Sequence, residues 1–149
     1  MNQSEIRIRK AKRSDIQQIA HLCGQLGYPS SPAQIAARLR QLKPASKHAV
    51  FVAELRDAPK GVVGWLHVSI AHLLESDMRA EVNGLIVAEG QRSAGAGAKL
   101  LAAAESWARK HGGKGMNVRS NVIRNRAHKF YERQNYEHYK TQKAFRKKL

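Results

Sequence analysis

The sequence has one cysteine, few acidic residues and no long apolar run. Cys23 alone cannot form an intrachain disulfide, which favours a reducing compartment. No stretch reaches the roughly 20 apolar residues of a membrane span, and residues 1–10 lack the apolar segment of a secretory signal. We therefore expect a cytoplasmic protein with no membrane partner. With no repeat or long linker, residues 1–149 are expected to form a single domain.

The charge balance is strongly basic. The chain has 27 Lys and Arg against 11 Asp and Glu, a formal net charge of +16. A basic surface attracts anions such as nucleic acid, an anionic membrane or a polyphosphate cofactor, and it can equally be a solvated face without a partner. Aromatic residues that could stack on bases make up only 6% of the chain, so nucleic acid is an unlikely partner.

Hydrophobic periodicity predicts the first elements. Residues 6–9 alternate as a half-buried strand, and Ser14 with Gln17 resembles a capping box that opens a helix. The apolar stripe of this helix ends at Gly27. A second helix is predicted from Ser31, which can cap it, with proline at its first position and Gln34 at its third, to Pro44.

The remaining pattern predicts a mixed sheet. Strands are expected at residues 48–55, 61–70 and 79–87, with a turn at 57–60 between the first two. An amphipathic helix at 95–111, a strand at 116–122, a short helix at 124–135 and a basic last strand at 139–149 follow. This order predicts an α/β fold with flanking helices, and strand, helix, strand in the second half should give a parallel pair.

The segment between the strand ending at Val87 and the long helix has the character of a phosphate-binding loop. A helix N-terminus offers unpaired N–H groups and partial positive charge. Gly95 and Gly97 would let phosphate oxygens approach the main chain, and Arg92 can add a charged contact. Neither a nucleoside-triphosphate loop nor a full dinucleotide fingerprint is present. The alternative is a flexible turn before a small-residue packing face.

Two motifs resemble the GNAT superfamily of N-acetyltransferases. Arg92-x-x-Gly95-x-Gly97 resembles its acetyl-CoA signature, and residues 127–136 (AHKFYERQNY) resemble its A-x-x-F/L-Y-E-x-x-G-F/Y segment. The resemblance covers essentially the whole chain. It implies a mostly antiparallel mixed sheet, with the parallel strand pair at the acetyl-CoA site, and acetyl-CoA as cosubstrate.

The resemblance also implies a set of cofactor-binding residues. They are Leu85, Ile86, Val87, Arg92, Ser93, Ala94, Gly95, Ala96, Gly97, Asn121 and Arg124. The main chain of the strand at 85–87 is expected to hold the pantetheine arm and polarise the thioester carbonyl. Many relatives have asparagine where this chain has Arg124, and Asn135 replaces the usual glycine.

Two catalytic residues are implied. Glu81 is expected to accept a proton from the amine, directly or through water, and Tyr131 to donate one to the departing thiolate. Trp65, His72 and Glu75 are predicted to line the substrate pocket. The histidines have no metal-ligand spacing, so no metal site is predicted.

Within the superfamily, residues 120–131 (SNVIRNRAHKFY) are similar to aminoalkylphosphonate N-acetyltransferases. This similarity suggests a small molecule with a primary amine as acceptor. A protein acceptor, such as a ribosomal protein or an N-terminus, and a basic nucleic-acid-binding module without catalysis are the alternatives. A homodimer is possible because it is common in the family.

Overall fold

The computed structural model describes residues 5–43, 47–56, 61–92 and 94–149. The chain divides into two compact units, Met1–Val118 and Arg119–Leu149. Among the described residues, the first unit contains a five-stranded sheet and three α-helices, and the second contains one α-helix. The expectation of a single domain stays a prediction.

The sheet of the first unit has the strand order β1-β2-β3-β4-β5. All neighbours are antiparallel except β4 and β5, which are parallel. This confirms the predicted mixed sheet. The strands are β1 (Ile6–Lys10), β2 (His48–Leu55), β3 (Gly61–Ala71), β4 (Arg79–Val87) and β5 (Met116–Val118).

The helices are α1 (Ile16–Leu26), α2 (Pro32–Gln41), α3 (Ala96–Lys110) and α4 (Asn125–Arg133). Gly27 ends α1 in the left-handed conformation with φ of 92°, which glycine adopts without a steric penalty. The predicted capping box of α2 is confirmed: Gln34 N–H donates to Ser31 Oγ at 3.1 Å, and Ser31 N–H donates to Gln34 Oε1 at 2.9 Å. Pro44 and the turn at 57–60 lie outside the described residues.

The predicted start of the first helix is wrong. Ser14 lies inside a short 3₁₀ turn, Arg13–Asp15, and the buried polar group there is Asp15. Its carboxylate accepts Lys12 N–H at 2.7 Å and two bonds from Arg9, at 2.7 and 2.8 Å. The hydrogen bonds from Arg9 lower the pKa of Asp15. A tertiary ion pair with β1 therefore fixes the start of α1, and sequence spacing alone does not reveal it.

Helices cover both faces of the sheet. On one face α1 and α2 pack around Val52, Val62 and Ile86, with Trp65 at the edge of the cluster. On the other face α3 contacts β2, β3 and β4. Its buried stripe is Ala96, Leu100, Leu101, Ala104, Trp107 and Ala108. The predicted amphipathic helix is thus confirmed, and Ala96 is the first fully buried member of its stripe.

Two predicted strand segments of the second unit are wrong. Residues 119–122 do not extend β5, because Asn121 forms a turn: its Oδ1 accepts Ile123 N–H at 3.2 Å and its carbonyl accepts Arg124 N–H at 3.0 Å. Residues 139–149 form no strand among the described residues and are exposed throughout. This basic segment has no continuous apolar face to bury, so alternation alone does not make it a strand.

Candidate active site

A bulge in β4 interrupts its pairing with β3. His67 pairs with Gly84 and Val68 pairs with Val82, so Asn83 is one extra residue. Gly84 is required beside the bulge because a Cβ there would lie 2.7 Å from the Trp65 ring. The indole of Trp65 thus lies against bare main chain, and its buried Nε1 has no hydrogen-bond partner among the described residues.

A polar row lies across the sheet next to this bulge. Asn83 Nδ2 donates to Ser69 Oγ at 2.8 Å, and Ser69 pairs across the strands with Glu81. Glu81 Oε1 accepts Arg79 Nε–H at 3.0 Å, and its side chain is 17% exposed. Ser69 and Trp65 are separated by an even number of positions on β3, so the row shares the face of the Trp65 cluster. The sequence motifs indicate Glu81 but not Ser69 and Asn83, whose contact depends on the bulge, nor Arg79, which lies two residues before Glu81 on the same strand.

Two histidines continue the row towards β2. His48 Nδ1 and His67 Nε2 are 2.8 Å apart, and the two rings stack with centroids 5.1 Å apart. Burial, together with the neighbouring His48, lowers the pKa of His67 to about 4. His67 is therefore neutral at neutral pH, and one of the two facing ring nitrogens donates to the other.

The far half of β4 has one free edge. β5 pairs only with residues 80–82, so the edge of β4 from Asn83 to Val87 has no strand partner among the described residues. Ile86 is buried in the cluster with α1, whereas Leu85 and Val87 are half-buried. Main-chain N–H and C=O groups along such an edge are available to an extended ligand arm.

The helix after this strand begins without a side-chain cap. Gly95, at the position before α3, has φ of 84°, and nothing lies within 4 Å of where its Cβ would be. The first helical hydrogen bond runs from Lys99 N–H to Gly95 C=O at 3.1 Å, so the N–H groups of residues 96–98 precede the helical ladder. A helix start of this kind, preceded by a glycine turn, can bind an anionic group through its main-chain N–H groups.

Some polar groups of the loop between β4 and α3 already have hydrogen-bond partners. Arg92 is exposed, and its Nε–H donates to the carbonyl oxygen of Val87 at 3.3 Å. Ala94 N–H donates to Gln91 C=O at 3.2 Å, which closes the turn before Gly95. Ala96 is fully buried and exposes no group to a ligand, whereas the half-buried Gly97 can contribute main-chain groups. Ser93 lies outside the described residues.

The second unit carries three of the predicted site residues. Tyr131 is half-buried on α4, with ring centroids 5.2 Å from Phe130 and 6.0 Å from Tyr136. Burial raises the pKa of Tyr131, so its phenol keeps its proton at neutral pH. Asn121 lies in the turn before α4 and Arg124 immediately precedes that helix.

The predicted substrate residues fall in two places. Trp65 lies beside the bulge, next to the polar row. His72 and Glu75 are exposed in the loop that joins β3 to β4. This loop begins after the last paired residues of the two strands, Ala71 and Arg79. No group of three or more His, Cys, Asp or Glu side chains suited to a metal occurs among the described residues. Cys23 is buried in the α1 core.

The mixed sheet with one parallel pair, β4 and β5, and its flanking helices form the fold of acetyl-CoA-dependent acyltransferases. Residues 14–136 match the model of the Acetyltransferase (GNAT) family, and the chain belongs to this family. It is an N-acetyltransferase that uses acetyl-CoA as cosubstrate. A sequence comparison with curated proteins finds no match. Within the part of the chain that the structure describes, no helix is both long and apolar enough to cross a bilayer.

Solved structures share this fold at low sequence identity. The aminoglycoside N-acetyltransferase AAC(6')-Iy in complex with CoA is 20% identical with a TM-score of 0.84, over 98% of this chain and 97% of that one. Glucosamine-6-phosphate N-acetyltransferase from Arabidopsis thaliana is 17% identical with a TM-score of 0.80, over 95% and 98%. A transcriptional regulator from Bacillus halodurans C-125 is 22% identical with a TM-score of 0.79, over 95% and 100%.

Proposed function

We propose that this enzyme transfers an acetyl group directly from acetyl-CoA to the primary amine of a small molecule. The observation that carries the proposal is the bulge at Asn83, because it divides β4 into two functional halves. Before the bulge, Glu81 lies in the polar row. After it, residues 83–87 present the free edge that leads to the open end of α3.

The main chain would hold the cosubstrate. The amides at the start of α3 and Arg92 would bind the diphosphate, and the edge at residues 85–87 would hold the pantetheine arm. Donors on this edge would also stabilise negative charge that develops on the thioester oxygen. Asn121 and Arg124, predicted from the family resemblance, are further candidates for cofactor contact.

Glu81 would serve as the base. An ammonium group has no lone pair, so a proton must leave before the nitrogen attacks. Arg79 holds Glu81 Oε1, while Oε2 has no hydrogen-bond partner among the described residues. That oxygen can accept the proton directly or through a water molecule, with Trp65, His72 and Glu75 as candidates for contact with the acceptor.

Tyr131 would serve as the acid. The departing thiolate needs a proton or a hydrogen-bond donor. A phenol whose pKa is raised by burial stays protonated and can supply that bond. The proposal thus assigns the two proton transfers to two different side chains.

The acceptor class is argued from sequence. The similarity of residues 120–131 to aminoalkylphosphonate N-acetyltransferases supports a small primary amine, and the net charge of +16 favours one that also carries negative charge. A protein acceptor is the competing proposal. The homodimer and the cytoplasmic location predicted from sequence stay predictions, and light scattering in solution would test the first.

The test is a screen of small amines and basic peptides with acetyl-CoA, detecting free CoA thiol. A small amine should give turnover, and Glu81→Gln should lower kcat by about 100-fold because the base is lost. Asp77→Asn removes one exposed carboxylate from the neighbouring loop and is the matched control. Turnover with peptides alone would replace the small-molecule acceptor by a protein. Equal kcat for Glu81→Gln and Asp77→Asn would remove Glu81 from the mechanism.

A further inference from the structure

The first unit contains a cavity of about 350 Å³, and none of the residues proposed for the reaction line it. It lies where β1 ends and β2 begins, and residues of α1, α2 and α3 complete its wall. A volume of this size is within the range of small-molecule sites. The cavity is lined on one side by Lys10, Lys12, Arg13 and Arg40.

This cavity is distinct from the proposed diphosphate site. Trp107 and His111, near the C-terminal end of α3, contribute to its wall. Ala96 begins the same helix at the glycine turn, 11 residues before Trp107, which corresponds to about 16 Å along the helix axis. A group bound in the cavity would therefore not occupy the position proposed for the phosphates of coenzyme A.

The Lys and Arg side chains give the lining of the cavity a positive charge. No Asp or Glu is among the described residues that line the cavity. The nearest buried carboxylate, Asp15, is already bound by Arg9. Lys10, Arg13 and Arg40 form no ion pair among the described residues, so their charges repel one another across the opening. An anion in the cavity would relieve this repulsion.

The remaining wall is apolar. Ile16, Leu39 and Leu42 line it together with Trp107, which is only 7% exposed. The ring of His111 stacks on Trp107 with centroids 4.5 Å apart, and its Nδ1 lies 2.8 Å from the Trp107 carbonyl oxygen. These contacts hold both rings in place. The wall thus offers a fixed apolar surface to the body of a ligand whose charged end meets the cations.

We propose that this cavity binds a small organic anion, with a phosphate or carboxylate group on an apolar body. The anion could be the charged end of the acetyl acceptor or a separate effector. His48 lines the cavity and pairs across the sheet with Ser69, which in turn pairs with Glu81. Two strand spacings, about 10 Å, therefore separate the cavity wall from the proposed base.

The experiment titrates phenyl phosphate into the full chain saturated with CoA and measures binding by calorimetry. Phenyl phosphate should bind at least ten times more tightly than inorganic phosphate or benzyl alcohol. Inorganic phosphate lacks the apolar body, and benzyl alcohol lacks the anionic group. Failure to bind, or binding that CoA saturation abolishes, would overturn the proposal.

Two variants of α2 separate the cavity from general charge attraction. Arg40→Glu should weaken binding at least tenfold. Arg38→Glu makes the same change of charge two positions earlier, where the side chain bonds Ser30 Oγ at 3.0 Å, and should leave the affinity within twofold. Equal losses of affinity in the two variants would show that general charge attraction, and not the cavity, binds phenyl phosphate. Arg13→Ala, on a different element, should weaken binding at least threefold and keeps the test decisive when Arg40→Glu does not fold.

Steady-state kinetics then distinguish the two sources of the anion. Phenyl phosphate that competes with the amine would identify the cavity as the subsite for the charged end of the acceptor, an assignment that depends on the proposed function. Phenyl phosphate that binds without competing would identify a separate effector site. Either outcome supports the anion site, whereas the binding measurements above can overturn it without reference to turnover.

Discussion

At the scale of single residues, Arg92 is the last charged residue before the start of α3. Arg92→Glu should weaken acetyl-CoA binding about tenfold or more, because an acidic side chain would repel the diphosphate. Calorimetry with the full chain measures this. Arg109→Glu makes the same change at the other end of α3, where the residue is exposed, and is the control. Equal affinities for the two variants would contradict the loop assignment.

Tyr131 allows a test of chemistry apart from binding. Tyr131→Phe keeps the ring and removes the proton donor, so kcat should fall about 100-fold while the Kd for acetyl-CoA changes less than twofold. The replacement Tyr136→Phe removes a hydroxyl from the neighbouring ring and should be much milder. If the kcat of Tyr131→Phe equals that of the unsubstituted enzyme, Tyr131 is not the proton donor to the thiolate.

At the scale of elements, close packing between β4 and α3 depends on Gly64 of β3. A Cβ there would lie 2.9 Å from the Ile86 carbonyl oxygen and 3.3 Å from Leu100 Cδ1. Gly64→Ala should therefore lower the free energy of unfolding by about 1–3 kcal/mol. Gly24→Ala, in α1 with open space around it, should raise that free energy by about 0.5–1 kcal/mol. Urea unfolding measures both changes in free energy. Two changes of the same sign would contradict the packing role assigned to Gly64.

The elements also show how far sequence predicts this fold. The bounds of β2, β3 and β4 and the cap of α2 are set by local alternation and local hydrogen bonds, and the sequence predicts them. The start of α1 depends on Arg9 reaching Asp15, and β5 ends at Val118 because the next residues turn. Neither the ion pair nor the turn leaves a periodic trace in the sequence.

In the candidate site too, local motifs are predictable from the sequence, whereas contacts that depend on strand register are not. Glu81 and the glycine loop carry recognisable motifs, so sequence identified them. The polar row around Ser69 and Asn83 exists because one extra residue shifts the register of β4, and a single sequence does not mark a bulge.

At the scale of the whole molecule, the neutral state of His67 couples stability to pH. Its pKa is about 4 in the folded chain against 6.5 unfolded, so between these values the unfolded chain binds a proton that the folded chain does not. The free energy of unfolding should fall by up to roughly 3 kcal/mol as pH drops from 6.5 to 4. The contribution of Asp15, whose pKa lies below 3.8, is lost only at still lower pH.

Denaturant unfolding at several pH values measures this dependence. His67→Gln should flatten the curve between pH 6.5 and 4, because it removes the group whose protonation differs between the two states. His21→Gln replaces an exposed histidine on α1 and should leave the slope unchanged. An unchanged slope for His67→Gln would show that His67 is not the group responsible.

The hydrogen bond from Arg92 to the Val87 carbonyl has a thermodynamic consequence. The last oxygen of β4 already has a donor in the absence of coenzyme, and the guanidinium already has an acceptor. Arg92 must exchange that partner when it turns to the diphosphate, so part of the heat released by the new contact is offset by the old one. The enthalpy of coenzyme association should accordingly be smaller than the number of contacts in the complex would suggest.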